Sequence, residues 1–223
     1  MFNIDSISNN IATKIASELN FDKDKREVIA YGAFALLQMI YSIALVAIFG
    51  YIFQVGVEAL IISFVGSILR KYSGGAHAGS PGRCALIGTV ICIVQALVFK
   101  FIISPNISLN MVLLLGLLVF IWSYYIIYKL APVDSAAKPI KKKEKRTRLK
   151  KGSIIILSVY LIIILFILMI YRKIGERSLL IYILSIYGGT AWQIFTLTEK
   201  GHLILYKIDA FLKYISNIRG ERV

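Results

Sequence analysis

Residues suited to site chemistry are scarce in this chain. Its 223 residues include two cysteines and two histidines, with 12 Asp and Glu against 26 Lys and Arg. Cys84 and Cys92 are eight positions apart; on one helix that is roughly 12 Å along the axis, too far for a disulfide, so both are read as free thiols. His77, His202, Cys84 and Cys92 match no standard ligand spacing, so neither a metal nor a cofactor is expected. Charged residues make up only 17% of the chain and hydrophobic ones 58%. With a mean hydropathy of +0.75, that balance excludes an ordinary soluble domain. The first 27 residues hold no apolar core of signal-peptide length, so no cleaved signal is expected. Neither internal repeats nor a soluble second domain can be fitted between the apolar runs.

What the chain does have is six apolar runs, at about 28–53, 57–69, 85–103, 111–130, 153–171 and 178–198, most of them near bilayer length as helix. They predict an all-α, polytopic membrane bundle forming a single domain over 1–223. The second run is short and carries Glu58, which suits a tilted, re-entrant or incompletely spanning segment. Before the first run, Ile4, Ile7, Ile11, Ile15 and Leu19 recur at helical spacing, describing an amphipathic helix lying on the membrane or packed on the bundle. A charged collar, Asp22 to Glu27, marks the interface that follows it. In the tail, 199–223, Leu203, Leu205, Ile208, Leu212 and Ile215 suggest a second interfacial helix, with His202 facing solvent or headgroups.

Topology follows from the cations. With the N-terminus inside and all six runs crossing, the inner side receives Lys14, Lys23, Lys25, Arg26, Arg70, Lys71, Arg83, the loop after residue 131 and the tail. The discordant group is Arg172, Lys173 and Arg177 on the last outer turn. A net charge of +14 invites a nucleic-acid reading, but the densest block, Lys141 to Lys151 within the 131–152 loop, lies between two spans. There it serves as a positive-inside anchor for anionic headgroups or helps hold an acidic peptide, and no nucleic-acid partner is expected.

Between the second and third runs lies the polar stretch Arg70 to Cys84, RKYSGGAHAGSPGRC. Gly74, Gly75, Gly79 and Gly82 give a backbone able to take positive φ and to pass close to another peptide chain. Ser80 and Pro81 read as cap and first residue of a helix whose first turn holds Cys84, where the helix dipole favours a thiolate. Cys84 with His77 makes a nucleophile and base suited to acyl transfer. Arg70 and the N–H groups of Gly74 and Gly75 would support an oxyanion or grip substrate carboxylates, or Arg70 serves structurally. Asp134, in Ala131-Pro132-Val133-Asp134, is a candidate to orient His77, as is Glu58; a helix stop and turn explains the tetrapeptide equally well.

Arg70, Gly74-Gly75-Ala76-His77-Ala78 and Cys84, with the flanking runs and the basic loop after Ala131-Pro132-Val133-Asp134, resemble the accessory gene regulator B family along the whole chain. The resemblance implies a membrane-embedded cysteine endopeptidase of the Gram-positive cell membrane, its site facing the cytoplasm. It implies that Cys84 cleaves the C-terminal part of a small membrane-associated propeptide, whose acidic segment the basic loop could meet. The resulting thioester would be resolved by cyclisation to a thiolactone or lactone signal peptide, without ATP. Apolar faces on most runs leave room for a homodimer. Two other classes fit the composition: a peptide exporter or transporter, disfavoured because ionisable groups within the spans are few, and a scaffold or sensor in which the Gly-rich loop is only a turn.

Overall fold

The computed structural model describes residues 4–134, 140 and 142–220, the last five of these by backbone alone. The chain is all-α. In order come α1 (Ile4–Glu18), α2 (Lys23–Ile52), α3 (Gly56–Ser73), α4 (Pro81–Leu97), α5 (Leu109–Leu130), α6 (Lys143–Ile174), α7 (Arg177–Phe195) and α8 (Glu199–Gly220). A π-helical turn, Val98–Ile103, prolongs α4. Five of these helices, namely α2, α4 with its π-turn, α5, α6 and α7, are long and apolar enough to cross a bilayer. This is a multi-pass membrane protein.

The chain divides into two compact units, residues 1–45 and 46–223. In the first, Asn20 takes a left-handed conformation, φ 50°, just past the end of α1. Two residues on, the Asp22 carboxylate accepts the Lys25 N–H at 2.8 Å and caps α2. The expected apolar row on α1 is exposed at Ile7, Ile11, Ile15 and Leu19, whereas its buried residues are Ser8, Ala12 and Ala16. An exposed isoleucine row suits contact with acyl chains.

In the second unit, α3 packs against α4, α6 and α7. Helices in lipid gain little from burying apolar surface against one another, so close approach and hydrogen bonding carry the packing. Gly189 of α7 shows this: a Cβ there would lie 2.7 Å from the Ile62 carbonyl oxygen and 3.1 Å from the Val65 Cβ of α3. The Tyr160 hydroxyl of α6 donates to the Val65 carbonyl at 2.8 Å. Leu69, Leu157, Ile164, Ile183 and Leu184 are fully buried in the main core. The hydroxyls of Thr89, Ser153, Ser158 and Ser185 return to the carbonyl four residues back, so each enters an apolar setting already bonded.

Polar staples define the two ends of this unit. At one end Lys100 pairs with the buried Glu58 at 3.1 Å and donates to the Gln54 carbonyl at 2.6 Å. Arg177 donates there to the carbonyls of Ser104 and Pro105, at 3.2 and 2.7 Å. Turn carbonyls that need donors thus account for Arg177, one of the three cations that break the positive-inside pattern. At the opposite end the residues after α3, after α5 and after α7 meet. The second apolar run, 57–69, lies within α3, a helix of 18 residues and roughly 27 Å that is not among the five candidate spans.

Candidate active site

The segment between α3 and α4 is pinned along its length. Its first residues leave α3 through Gly74, whose φ of 71° and ψ of −148° are open essentially to glycine alone. That turn lays Ser73 and Gly74 beside the strand-like residues after α5. The Val133 N–H donates to the Ser73 carbonyl at 2.9 Å, and Gly74 and Val133 form a parallel bridge. A Cβ on Gly74 would sit 2.0 Å from the Val133 carbonyl oxygen, a close passage of two backbones; of the four glycines read for such a role, Gly74 and Gly75 take positive φ while Gly79 and Gly82 do not. Gly75, φ 129°, passes equally close to α7, where a Cβ would lie 2.6 Å from the Thr196 hydroxyl. Gln193 of α7 donates to the Ser73 hydroxyl at 3.0 Å and to the Gly74 carbonyl at 2.7 Å. The Ala76 N–H donates to the Thr196 carbonyl at 3.1 Å.

Arg70, in the last turn of α3, reaches forward and donates through Nη2 to the Ala76 carbonyl. Its Nε is buried without a hydrogen-bond partner among the described residues. Burial lowers the pKa of this guanidinium, and a thiolate at Cys84 opposes that shift. Arg70 therefore lies within electrostatic reach of Cys84, and also of His77. Although His77 is solvent-accessible, surrounding protein atoms, and secondarily the Arg70 charge, hold its imidazole down to about 4. At neutral pH it is uncharged, with a lone pair free to accept a proton.

Beyond His77 the segment turns into α4 as the sequence predicts. Ser80 is the cap, φ −138° and ψ 149°, and its hydroxyl accepts the Arg83 N–H at 3.3 Å; Pro81 is the first helical residue. Cys84, partly exposed, bonds its N–H back to the Ser80 carbonyl at 2.9 Å. Cys92 is a buried free thiol packed with Val55, Ala59, Ile62, Ile93 and Ala96. Among the described residues no group of three or more His, Cys, Asp or Glu side chains gathers in a way that could hold a metal ion.

Two acids considered for orienting His77 are engaged elsewhere. Asp134 accepts the Ile140 N–H at 3.2 Å and faces Arg146 at 3.7 Å, while Arg146 also donates to the Pro132 carbonyl at 3.1 Å. Its contacts among the described residues include none with His77. Glu58, in the first turn of α3, stands a helix length away from His77, which follows the last turn, and so cannot orient it. Residues that do hold the segment were not singled out from the sequence: Val133, Gln193, Thr196 and, on α8, Asp209. Gln193 carried a faint signal, the one side-chain amide in the run 178–198. Asp209 carried another, a carboxylate set beside Ile208 on the apolar face of the tail helix.

Two clefts open beside this end. One of about 800 Å³ is lined by Tyr72, Lys143, Glu144, Thr147, Arg148, Lys151, Gly152, Ile155 and Ile156. The other, of about 500 Å³, is lined by Leu130, Val133, Asp134, Arg146, Leu197, Glu199 and His202.

Fold and site together define a polytopic helical membrane protein with a polar, glycine-turned segment that carries a thiol and a neutral imidazole at one end of its bundle. The family it falls in is the one the residues suggest: the sequence pattern of Accessory gene regulator B matches residues 8–197, and the chain belongs to that family. Among its relatives is the "Putative AgrB-like protein 2" of Clostridium perfringens (strain 13 / Type A), 43% identical over 208 residues, covering 93% of this chain and 97% of the relative. A second, the "Putative AgrB-like protein" of Clostridium perfringens (strain SM101 / Type A), is 41% identical with the same coverage. No solved structure matches the chain. The family is linked to accessory gene regulator autoinducer processing.

Proposed function

We propose that this chain is a membrane-embedded cysteine endopeptidase that processes a small autoinducer propeptide, with Cys84 as nucleophile and His77 as base. The observation that carries the reading is geometric: the segment that joins α3 to α4 is pinned by Arg70, Gln193 and Thr196, bears His77, and leads into the capped first turn of α4 that holds the partly exposed Cys84. His77 takes the Cys84 thiol proton as the sulfur attacks the scissile carbonyl carbon. The C–N bond breaks, the same proton passes to the leaving amine, and the N-terminal fragment stays on Cys84 as a thioester. An internal Cys or Ser of that fragment then attacks the thioester carbonyl, loses its proton to the base and expels the Cys84 thiolate, closing a thiolactone or lactone ring. The Arg70 Nε–H, without a partner among the described residues, supports a donor role toward the developing oxyanion, with the Gly75 N–H as a further candidate; the Gly74 N–H, expected to serve as well, already donates to the Arg70 carbonyl at 2.9 Å.

The substrate side follows from the surroundings. The cleft beside Tyr72 offers Lys143, Arg148 and Lys151 over an apolar floor of Ile155 and Ile156, which suits a peptide carrying acids and apolar side chains. A propeptide anchored at the interface meets such a site in two dimensions, which lessens the entropy lost on encounter. The cation distribution supports a site facing the cytoplasm.

The test is co-expression with the cognate propeptide, followed by mass spectrometry of the peptide and the enzyme. Cleavage is expected to vanish in Cys84→Ala and His77→Ala and to survive in Cys92→Ala, with an enzyme-linked fragment trapped on Cys84. Cleavage by Cys84→Ala would overturn the peptidase reading in favour of an exporter.

A further inference from the structure

We propose that Asp209 of α8 is a positioning residue for the catalytic segment, an inference that rests on the peptidase reading above. Its carboxylate reaches back 130 residues to accept the Gly79 N–H at 3.1 Å, and 126 residues to accept Arg83 Nε at 2.6 Å and Nη2 at 3.3 Å. Gly79 lies two positions after His77, and Arg83 immediately precedes Cys84. One side chain therefore ties the base-bearing end of the segment to the helix turn that bears the nucleophile.

The Ser80 cap and the start of α4 hold the stretch from Gly79 to Arg83 locally. Upstream of His77 the pins are Val133, Gln193, Thr196 and Arg70; downstream, Asp209 supplies a long-range one. Apolar packing seats the carboxylate. Leu205 of α8 is buried with Ala76 and Ile87, and Ile208 and Leu212 pack on the same cluster with Ala78, so both neighbours of His77 lie under α8. Asp209 shares the helix face of Leu205 and Leu212, at four- and three-residue spacing.

The ion pair also gives the cation next to Cys84 in sequence a partner of its own. Arg83 is next to Cys84 in sequence, but its guanidinium is held by the Asp209 carboxylate, leaving Arg70 as the buried positive charge at the site. The hydrogen bond from Arg83, reinforced by the one from Gly79, keeps the Asp209 carboxyl below the usual carboxylate range, so it stays ionised. Both partners remain partly exposed, so the pair adds little to global stability and its effect is geometric. The family match ends at residue 197, so Asp209 lies on a helix beyond the matched region.

The experiment uses the full chain in membranes with its propeptide, comparing wild type, Asp209→Ala, Asp209→Asn, Asp209→Glu and Cys84→Ala. Rates are normalised to the amount of enzyme, and thiol labelling with a maleimide reports on Cys92 as a folding sentinel. Asp209→Ala and Asp209→Asn are expected to lower kcat roughly ten- to hundredfold, the scale of a misplaced catalytic group, with KM within about threefold. Asp209→Glu should restore most of the rate, and Cys92 should stay unlabelled throughout. Cleavage by Asp209→Asn within about threefold of wild type would overturn the inference, as would Cys92 labelling that rises in step with lost activity. If Cys84→Ala cleaves, the peptidase reading itself fails, and that outcome is distinct from either of these.

Discussion

Gly74→Ala tests the close approach on which the candidate site is built. Two costs add. An L-residue at φ 71° and ψ −148° sits in a region kept essentially for glycine, at about 1–3 kcal/mol. The new methyl would also lie 2.0 Å from the Val133 carbonyl oxygen and 3.0 Å from its carbon, backbone atoms that no side-chain rotation can move aside. Relief requires residues 131–134 to withdraw and the Val133 N–H to Ser73 bond to break. Leaving those groups unpaired costs about 1–3 kcal/mol more. The total, about 2–6 kcal/mol, is less than the stability of a typical domain, so the helices persist while the segment opens. At about 1.4 kcal/mol per factor of ten, the closed-to-open equilibrium of the segment shifts at least about 30-fold toward the open form, and the rate of propeptide cleavage is expected to fall. Gly88→Ala is the control: nothing lies within 4 Å of a Cβ there, and alanine within α4 should be neutral or stabilising by up to about 1 kcal/mol. Thermal unfolding in detergent, read beside cleavage rate, separates the local from the global effect. Wild-type cleavage by Gly74→Ala would refute the reasoning, because it would mean that the Ser73–Val133 contact does not shape the site.

Other outcomes follow from the same contacts. Asp134→Ala should cleave within about threefold of wild type, since its partners are Arg146 and Ile140; a tenfold loss would return it to a role at His77. The folded His77 pKa lies below its ordinary 6.5, so the folded protein binds fewer protons than the unfolded chain between pH 6.5 and about 4. His77 accordingly costs no stability above pH 6.5 and erodes it progressively as pH falls through that window. The acid limb that His77 imposes on cleavage should lie near pH 4, and Arg70→Gln, which removes the lesser of its two causes, should move that limb upward in a pH–rate profile. Glu58→Gln leaves Lys100 without its counter-charge and should lower stability by about 1–3 kcal/mol in thermal unfolding, while cleavage per folded molecule at the opposite end is unchanged.

By itself the sequence determined the class and the local starts and stops. Bilayer-length apolar runs force helices, because a backbone in lipid has only its own segment to bond with, and a span therefore announces itself without any knowledge of its neighbours. Ser80 and Pro81 likewise act over three or four residues, and the structure places that cap where the residues put it. Gly74 and Gly75 were legible as positions needing positive φ and a close neighbour, but the neighbours were not, since Val133 and Thr196 lie 59 and 121 residues further along the chain. Tertiary structure alone decided that Ala131-Pro132-Val133-Asp134 flanks the site, that Asp134 turns to Arg146, and that Gln193 and Asp209 supply the acceptors and donors the segment lacks. Helix periodicity says which face a residue shares, not which helix that face will meet. A carboxylate such as Asp209 shows its partner only once apolar packing has laid α8 across the catalytic segment.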